Sequence, residues 1–165
     1  IPGLAISLGL TTVISRCVGK DDYQQARYYN RRLLFATYAA LLVVDFAAFF
    51  AMPLILSMYQ VSEETARLTV QMVLCHTLGA VVFWPMAFDL PASMRAAGDV
   101  KFAMIVSIVS MWVCRIGMSY LLGAPWGLDL GLLGVWQGMF CDWITRSIAF
   151  AVRFARGKWK DHKVI

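Results

Sequence analysis

The sequence predicts an all-α, polytopic membrane protein, and two observations support that fold class. Of its 165 residues, 60% are hydrophobic and only 15% are charged, whereas soluble domains average roughly 45 to 50% and about 25%. The hydrophobic residues are grouped into long runs, and most Lys and Arg residues lie in short segments between those runs. We therefore expect a lipid bilayer to be the solvent of this chain, and we do not expect nucleic acid to be a partner.

The apolar runs predict about five transmembrane helices. Four runs reach the length of about 20 residues that a spanning helix needs, and a fifth, at the start of the chain, is shorter. We expect this first helix to be truncated and the chain to be part of a longer protein. The predicted spans are residues 1–15, 33–59, 68–90, 102–122 and 130–150, followed by a basic tail over residues 151–165.

The distribution of Lys and Arg predicts the orientation of these helices. The segments that follow the first four spans hold five, one, two and no such residues, and the tail holds five. Cytoplasmic loops of membrane proteins carry the excess of positive charge. The first and third connections and the C-terminal tail are therefore expected in the cytoplasm.

Two features predict how the helices pack and where one of them breaks. Gly134 and Gly138 form a G-x-x-x-G pattern, which lets helix backbones approach closely in lipid. Pro85 and Pro91 each remove a backbone hydrogen bond, so the third span is expected to be kinked or interrupted. Such a break either marks a substrate or ion site or is a tolerated proline without a function.

Three ionisable residues are predicted near the middle of the membrane. At 1.5 Å per residue, Asp45, His76 and Arg115 each lie about 18 to 20 Å from the cytoplasmic side of their spans. Charges at that depth are costly unless they are paired or hydrated. Asp45 and Arg115 form either a structural ion pair or a site for cations or protons, and His76 either packs or carries protons. Our hypothesis is that Asp45 faces an aqueous cavity beside His76 or Arg115.

Further candidates lie closer to the cytoplasmic side. Asp142 and Arg146 are four residues apart, so they either neutralise each other or take part in binding. Asp89 either caps or snorkels near the end of its span, or has a function in transport. The candidates for ion coupling are therefore Asp45, His76, Asp89, Arg115 and Asp142. Four side chains either line a substrate cavity or pack against lipid and neighbouring helices: Phe83, Trp84, Met111 and Trp112.

The sequence contains no motif of a soluble enzyme. It has no H-E-x-x-H, G-x-S-x-G, Walker or Rossmann pattern. Its four cysteines form no C-x-x-C pair and are interpreted as reduced packing residues rather than metal ligands. We therefore expect neither catalytic residues nor a metal site.

Three segments together resemble a known transporter family. The first runs from Thr12 to Arg27 and contains a glycine turn, an acidic residue and Ala-Arg, and the second is Met94-Arg95-Ala96-Ala97-Gly98-Asp99. The third includes Gly134-Val135-Trp136, Asp142-Trp143 and Arg153-Phe154. In this order and with these loop lengths, the segments resemble those of the multidrug and toxic compound extrusion (MATE) family.

The resemblance implies a twelve-helix fold of two six-helix lobes, of which this chain would form helices 8 to 12. It implies a bacterial inner-membrane antiporter that exports organic-cation or amphipathic drugs in exchange for Na⁺ or H⁺, with no other cofactor. The absent N-terminal lobe would be its partner. The family's acidic residue on helix 10 is expected near Trp84, and Asp89 lies about a turn and a half beyond it. A flippase for lipid-linked oligosaccharides or lipids and a membrane-embedded enzyme are the alternatives.

Overall fold

The computed structural model describes residues 2–59 and 61–160, which fold into helices without any strand. Ile1 and residues 161–165, which belong to the predicted first span and tail, lie outside the described residues. The α-helices are α1 (Pro2–Val18), α2 (Tyr23–Tyr59), α3 (Glu63–Trp84), α4 (Leu90–Ala96), α5 (Val100–Ser110), α6 (Met118–Gly123) and α7 (Gly131–Ala155). The predicted all-α fold class is confirmed.

Helix α2 begins ten residues before the span predicted at residues 33–59. Its first turns are polar and therefore escape a hydropathy criterion, yet they are helical because Asp22 caps them, with its carboxylate accepting a hydrogen bond from the Gln25 amide at 2.9 Å. The 37 residues of α2 extend over about 55 Å, well beyond a hydrocarbon layer of about 30 Å. The basic beginning of α2 thus projects past the apolar region.

Helices α3 and α4 are joined by a π-helical segment, Pro85–Asp89, so the predicted interruption of the third span is confirmed. The amide of Leu90 donates to the carbonyl of Pro85, five residues earlier, which is the π-helical pattern. Pro91 lies in the first turn of α4, where a missing amide proton costs little. The helix continues to Ala96, six residues beyond the predicted span.

A second π-helical segment, Met111–Gly117, joins α5 to α6. No proline accompanies it, and we did not predict it. After α6 the chain turns back into α7, and the two helices meet at the G-x-x-x-G pattern. A Cβ atom at Gly138 would lie 2.8 Å from the backbone nitrogen of Ser119, and one at Gly134 would lie 2.7 Å from that of Gly123. The two glycines therefore allow α6 and α7 to pack backbone to backbone.

Three continuous helical segments are long and apolar enough to cross a membrane. They are α2 (Tyr23–Tyr59), the segment from α3 to α4 (Glu63–Ala96) and the segment from α5 to α6 (Val100–Gly123). Helix α1 is apolar but has only 17 residues. Helix α7 has 25 residues, but Asp142 and Arg146 lower its hydropathy. The structure thus supports three spans by composition and length, whereas five were predicted.

The tightest packing lies at one end of the bundle, where α1, α4 and α7 end and α2 and α5 begin. We call it the basic end, because it holds the two connections richest in Lys and Arg together with the tail. Its core includes Leu10, Ile14, Met94 and Phe150, each no more than 1% exposed. A smaller aromatic cluster lies deeper in the bundle and is formed by Phe83, Trp84, Phe88, Phe140 and Trp143.

The first part of the predicted tail is not a free extension. Helix α7 continues to Ala155, and Gly157 then turns the chain with a φ of 74°. This turn returns Trp159 to the core, where it is 2% exposed and stacks on Phe154 at a centroid distance of 5.0 Å. The apolar ring accounts for the difference, since burial against Phe154 removes it from water.

Candidate functional site

Asp89 is, together with Asp142, one of the two fully buried residues among the predicted site residues. It ends the first π-helical segment, is 0% exposed and makes no side-chain capping hydrogen bond to α4. Of the two alternatives for this residue, the one in which it caps or snorkels near the membrane surface is therefore wrong. The π-helical segment that begins at Pro85 and ends at Asp89 packs against α1, α2 and α7. The carboxylate therefore lies inside the bundle.

The surroundings of the Asp89 carboxylate are polar but do not neutralise it. Its polar neighbours include the hydroxyl groups of Ser7 on α1 and Thr37 on α2. The Thr37 hydroxyl donates its proton to the Leu33 carbonyl at 3.1 Å. Among residues 2–59 and 61–160, neither carboxylate oxygen of Asp89 accepts a hydrogen bond of good geometry. A buried carboxylate without hydrogen-bond donors is costly when ionised, so binding of a proton or a small cation to it is favourable.

Asp142 belongs to a separate polar cluster between α5 and α7. Arg146 donates to it from Nε at 2.7 Å, as the spacing of four residues predicted, and also donates from Nη2 to the Ser107 carbonyl at 3.0 Å. The Ser110 hydroxyl donates to the same carboxylate. Asp142 is thus held in place by three groups, of which Arg115 is the outermost, with Nη1 at 4.0 Å.

Of the two alternatives for Asp45 and Arg115, the structural ion pair between them is not formed. Arg115 approaches Asp142 instead, because the second π-helical segment presents it to α7. Asp45 has His76 of α3 as its electrostatic neighbour, and no ion pair of Asp45 is formed within the described residues. His76 lies edge-on to Trp136 and Trp143 at 5.4 and 5.5 Å, so it packs in the aromatic cluster.

The four predicted cavity-lining residues divide into two pairs. Phe83 and Trp84 belong to the aromatic cluster, where Trp84 stacks on Phe88 and lies directly against Gly3 of α1. Met111 and Trp112 lie on the second π-helical segment and are 37% and 62% exposed. The structure therefore does not bring the four side chains together into one surface.

Two polar pairs were missed by sequence reasoning. Asp99 accepts two hydrogen bonds from Arg153, at 2.6 and 3.0 Å, which ties the connection between α4 and α5 to the end of α7. Ser93 donates to Asn30 Oδ1, which links α4 to α2. Asp99 and Arg153 both lie in motifs that carried the resemblance, and that coincidence was the available signal for their contact.

Comparisons with known proteins agree with this architecture. The family model MatE matches residues 1–121. The chain is 26% identical over its whole length to the probable multidrug resistance protein NorM of Thermotoga maritima, of which it covers 35%. It is 21% identical over 84% of its length to the probable multidrug resistance protein YoeA of Bacillus subtilis, of which it covers 29%.

A third relative, the uncharacterized transporter YisQ of Bacillus subtilis, is 36% identical over 41% of the chain and 14% of its own length. The chain thus spans about a third or less of each of these relatives. No solved structure matches it significantly. The long apolar helices and the family match together make the chain part of an integral membrane protein, and it belongs to the MatE family.

Proposed function

We propose that the protein is a secondary active antiporter that exports organic-cation or amphipathic drugs in exchange for Na⁺ or H⁺ by alternating access. The observation that carries this proposal is the buried carboxylate of Asp89, which lies at a break in a membrane helix beside two hydroxyl groups. Relatives named as probable multidrug resistance proteins support the substrate class. The protein would reside in the bacterial inner membrane with its basic end, and therefore its C-terminus, in the cytoplasm.

The proposed mechanism uses the charge of Asp89 to bias two conformations. An empty, ionised carboxylate is costly in the closed bundle, whereas a carboxylate occupied by H⁺ or Na⁺ is not. Oxygen ligands suit a hard cation, and the Ser7 and Thr37 hydroxyls would complete its coordination. Loading and unloading would therefore shift the equilibrium between inward- and outward-open states.

The substrate would bind between this chain and an N-terminal lobe, and of the four candidate residues the exposed pair, Met111 and Trp112, is the proposed lining. Aromatic faces and Met side chains accept varied apolar and cationic groups without fixed geometry. Neither a cofactor other than the coupling ion nor a catalytic step is part of this proposal. The 165-residue chain on its own is expected not to transport.

The test uses the full-length transporter in inverted vesicles with a preset proton gradient. Addition of organic cations is expected to collapse the gradient if protons are coupled, and drug movement that requires sodium would indicate sodium coupling. Asp89→Asn is expected to lower coupled transport by roughly tenfold or more, because the neutral amide neither takes up a proton at physiological pH nor balances the charge of a bound cation. Asp45→Asn is the matched variant, and its effect is expected to be smaller because Asp45 is only partly buried.

Two results would count against the proposal. If Asp89→Asn left both transport and its ion dependence unchanged in a folded protein, Asp89 would not be the coupling residue. If no cation produced a response in the unaltered protein, antiport would be wrong, and a flippase for lipid-linked substrates would become the better interpretation.

A further inference from the structure

A cavity of about 270 Å³ opens at the basic end between α2, α7 and the helical segment that contains α4. Its lining changes in character with depth. Three polar residues of α2, Arg27, Asn30 and Arg31, line the part nearest the basic connections. Apolar side chains, including Leu34 and Leu90, line the deeper part. The wall of the cavity that α2 forms therefore changes from polar to apolar along the helix.

The sequence of α2 produces this arrangement. Positions 27, 30, 31 and 34 follow the i, i+3, i+4, i+7 spacing, so their side chains lie along one helix face. Directly beside this face, Ala26 is 0% exposed and packs in the core of the basic end. The polar face is consequently fixed in orientation towards the cavity.

Asn30 supplies an unused hydrogen-bond donor in the cavity wall. The residue is only 1% exposed. Its Oδ1 accepts from the Ser93 hydroxyl, which fixes the orientation of the amide. Its Nδ2 has no hydrogen-bond acceptor anywhere in residues 2–59 and 61–160. A buried donor that lacks an acceptor is unfavourable, so a ligand that accepts a hydrogen bond would be favoured here.

The charge of the cavity determines the sign of the charge that the ligand should carry. Arg27 and Arg31 contribute two positive charges, and the lining contains no Asp or Glu. Within the described part of the chain, neither guanidinium forms an ion pair, since the three ion pairs there involve Arg115, Arg146 and Arg153. The complement of this wall is an anionic group with several acceptor oxygens, such as a phosphate.

A neighbouring cavity lined by Arg153, Arg156 and Lys158 differs in this respect. It has a volume of about 470 Å³ and also lies at the basic end. Its central cation, Arg153, is already bound to Asp99 at 2.6 Å, and no side chain of its lining has a buried polar atom without a partner within the described residues. Positive charge alone therefore does not distinguish the cavity beside Asn30.

We propose that the cavity beside Asn30 binds the phosphate headgroup of an anionic phospholipid. Arg27 and Arg31 pair with the phosphate, and Asn30 Nδ2 donates a hydrogen bond to it. An acyl chain lies along Leu34, Met86 and Leu90. The apolar depth of the cavity favours a lipid over a soluble phosphate, and basic pockets between membrane helices are typical sites for such headgroups.

The experiment is native mass spectrometry of the full-length transporter with phosphatidylglycerol and, in parallel, with zwitterionic phosphatidylethanolamine. The double variant Arg27→Gln/Arg31→Gln is expected to lower the affinity for phosphatidylglycerol roughly tenfold or more, since each cation near a membrane surface adds to anionic-lipid binding. Asn30→Asp is expected to lower it as well, because it keeps the acceptor for Ser93 but replaces the donor with a negative charge. Phosphatidylethanolamine carries the same phosphate but also an ammonium group that Arg27 and Arg31 repel, so it is expected to bind more weakly to the unaltered protein and to lose less affinity in the double variant.

Arg32→Gln is the matched control. Arg32 is adjacent on α2, but its guanidinium lies over the Tyr28 ring at 5.2 Å and does not line the cavity. An equal loss of phosphatidylglycerol in Arg32→Gln would overturn the proposal, because a diffuse basic surface would then explain the binding. Full binding in both the double variant and Asn30→Asp would also overturn it.

A competition arm separates a lipid from a soluble phosphate. Millimolar glycerol phosphate or inorganic phosphate is expected to leave phosphatidylglycerol bound, since neither fills the apolar depth. Displacement of the lipid by these ions would overturn the assignment to a lipid and identify a soluble phosphate as the ligand. A gel-filtration profile identical to that of the unaltered protein confirms that each variant is folded.

Discussion

The basic end of the bundle and the opposite end of α2 have similar apolar composition but very different burial. At the basic end, Met94 and Phe150 are fully buried in contacts among several helices. Near the end of α2, Phe50, Leu54 and Met58 are 65%, 66% and 76% exposed. In a membrane protein, apolar composition only identifies what avoids water, whereas contacts between helices identify what holds the fold together.

Polar side chains follow a related pattern. At the basic end they connect elements, as Asp99 does with Arg153 and Ser93 does with Asn30. Deeper in the bundle, the carboxylates of Asp45 and Asp89 retain oxygens without hydrogen-bond partners within the described residues. At the basic end, the buried atoms without a partner in the described part of the chain are instead the neutral donors Asn30 Nδ2 and Trp159 Nε1. The firmly packed end is thus a framework, and the interior with its unpartnered carboxylates is where we place ion coupling.

The largest difference between the two regions is expected from a pair of phenylalanine truncations. Phe150→Ala removes a fully buried ring that packs edge-on to Phe102, and it is expected to lower the free energy of unfolding of the full-length protein by about 3 kcal/mol. Phe50→Ala removes an exposed ring and is expected to change it by less than about 0.5 kcal/mol. Reversible unfolding in detergent micelles measures both values.

Equal losses of unfolding free energy in Phe150→Ala and Phe50→Ala would contradict the proposed difference in packing between the two regions. They would indicate that the end of α2 packs against another part of the full-length protein as firmly as Phe150 packs in this chain. A large loss of unfolding free energy in Phe50→Ala alone would mean that the end of α2, and not the basic end, is the framework.

A second prediction tests whether tight packing also extends to α6 and α7. Gly138→Val places a side chain against the backbone of Ser119 and is expected to cost about 2 kcal/mol. Gly9→Ala is the matched change, because no atom lies within 4 Å of its Cβ position, and it is expected to stabilise the protein by about 0.5 kcal/mol. The two variants should therefore shift the unfolding midpoint in opposite directions. A tolerated valine would mean that α6 and α7 separate without cost.

Sequence reasoning predicted the fold class, the interruption at Pro85 and the close approach at Gly134 and Gly138. These features depend on local chemistry: helix periodicity, a missing amide proton and the size of a side chain. Sequence reasoning did not predict that Arg115 approaches Asp142. Arg115 lies on the second π-helical segment, and no proline in the sequence indicates that segment. The burial of Asp89 was missed although the interruption at Pro85 was predicted, because the proline does not indicate the π-helical geometry, in which a wider turn changes the face that a side chain occupies.

The smallest expected effect concerns the beginning of α3. Ser62 caps this helix, accepting a hydrogen bond from the Thr65 amide at 3.3 Å, and Ser62→Ala is expected to destabilise the first turn by about 1 kcal/mol. Because most residues in the first turns of α3 are exposed, the change should remain local. Hydrogen exchange at Thr65 should accelerate roughly fivefold, while the global unfolding free energy changes by less than about 0.5 kcal/mol.

Ser57→Ala provides the control for this prediction. The Ser57 hydroxyl donates to the Leu54 carbonyl at 2.8 Å within α2, so its loss leaves no helix-initiating amide without an acceptor. Exchange at Thr65 should then be unchanged. A global loss in Ser62→Ala as large as the local one would show that the first turn of α3 unfolds together with the basic end. In that case, the two regions would form one cooperative unit despite their different packing.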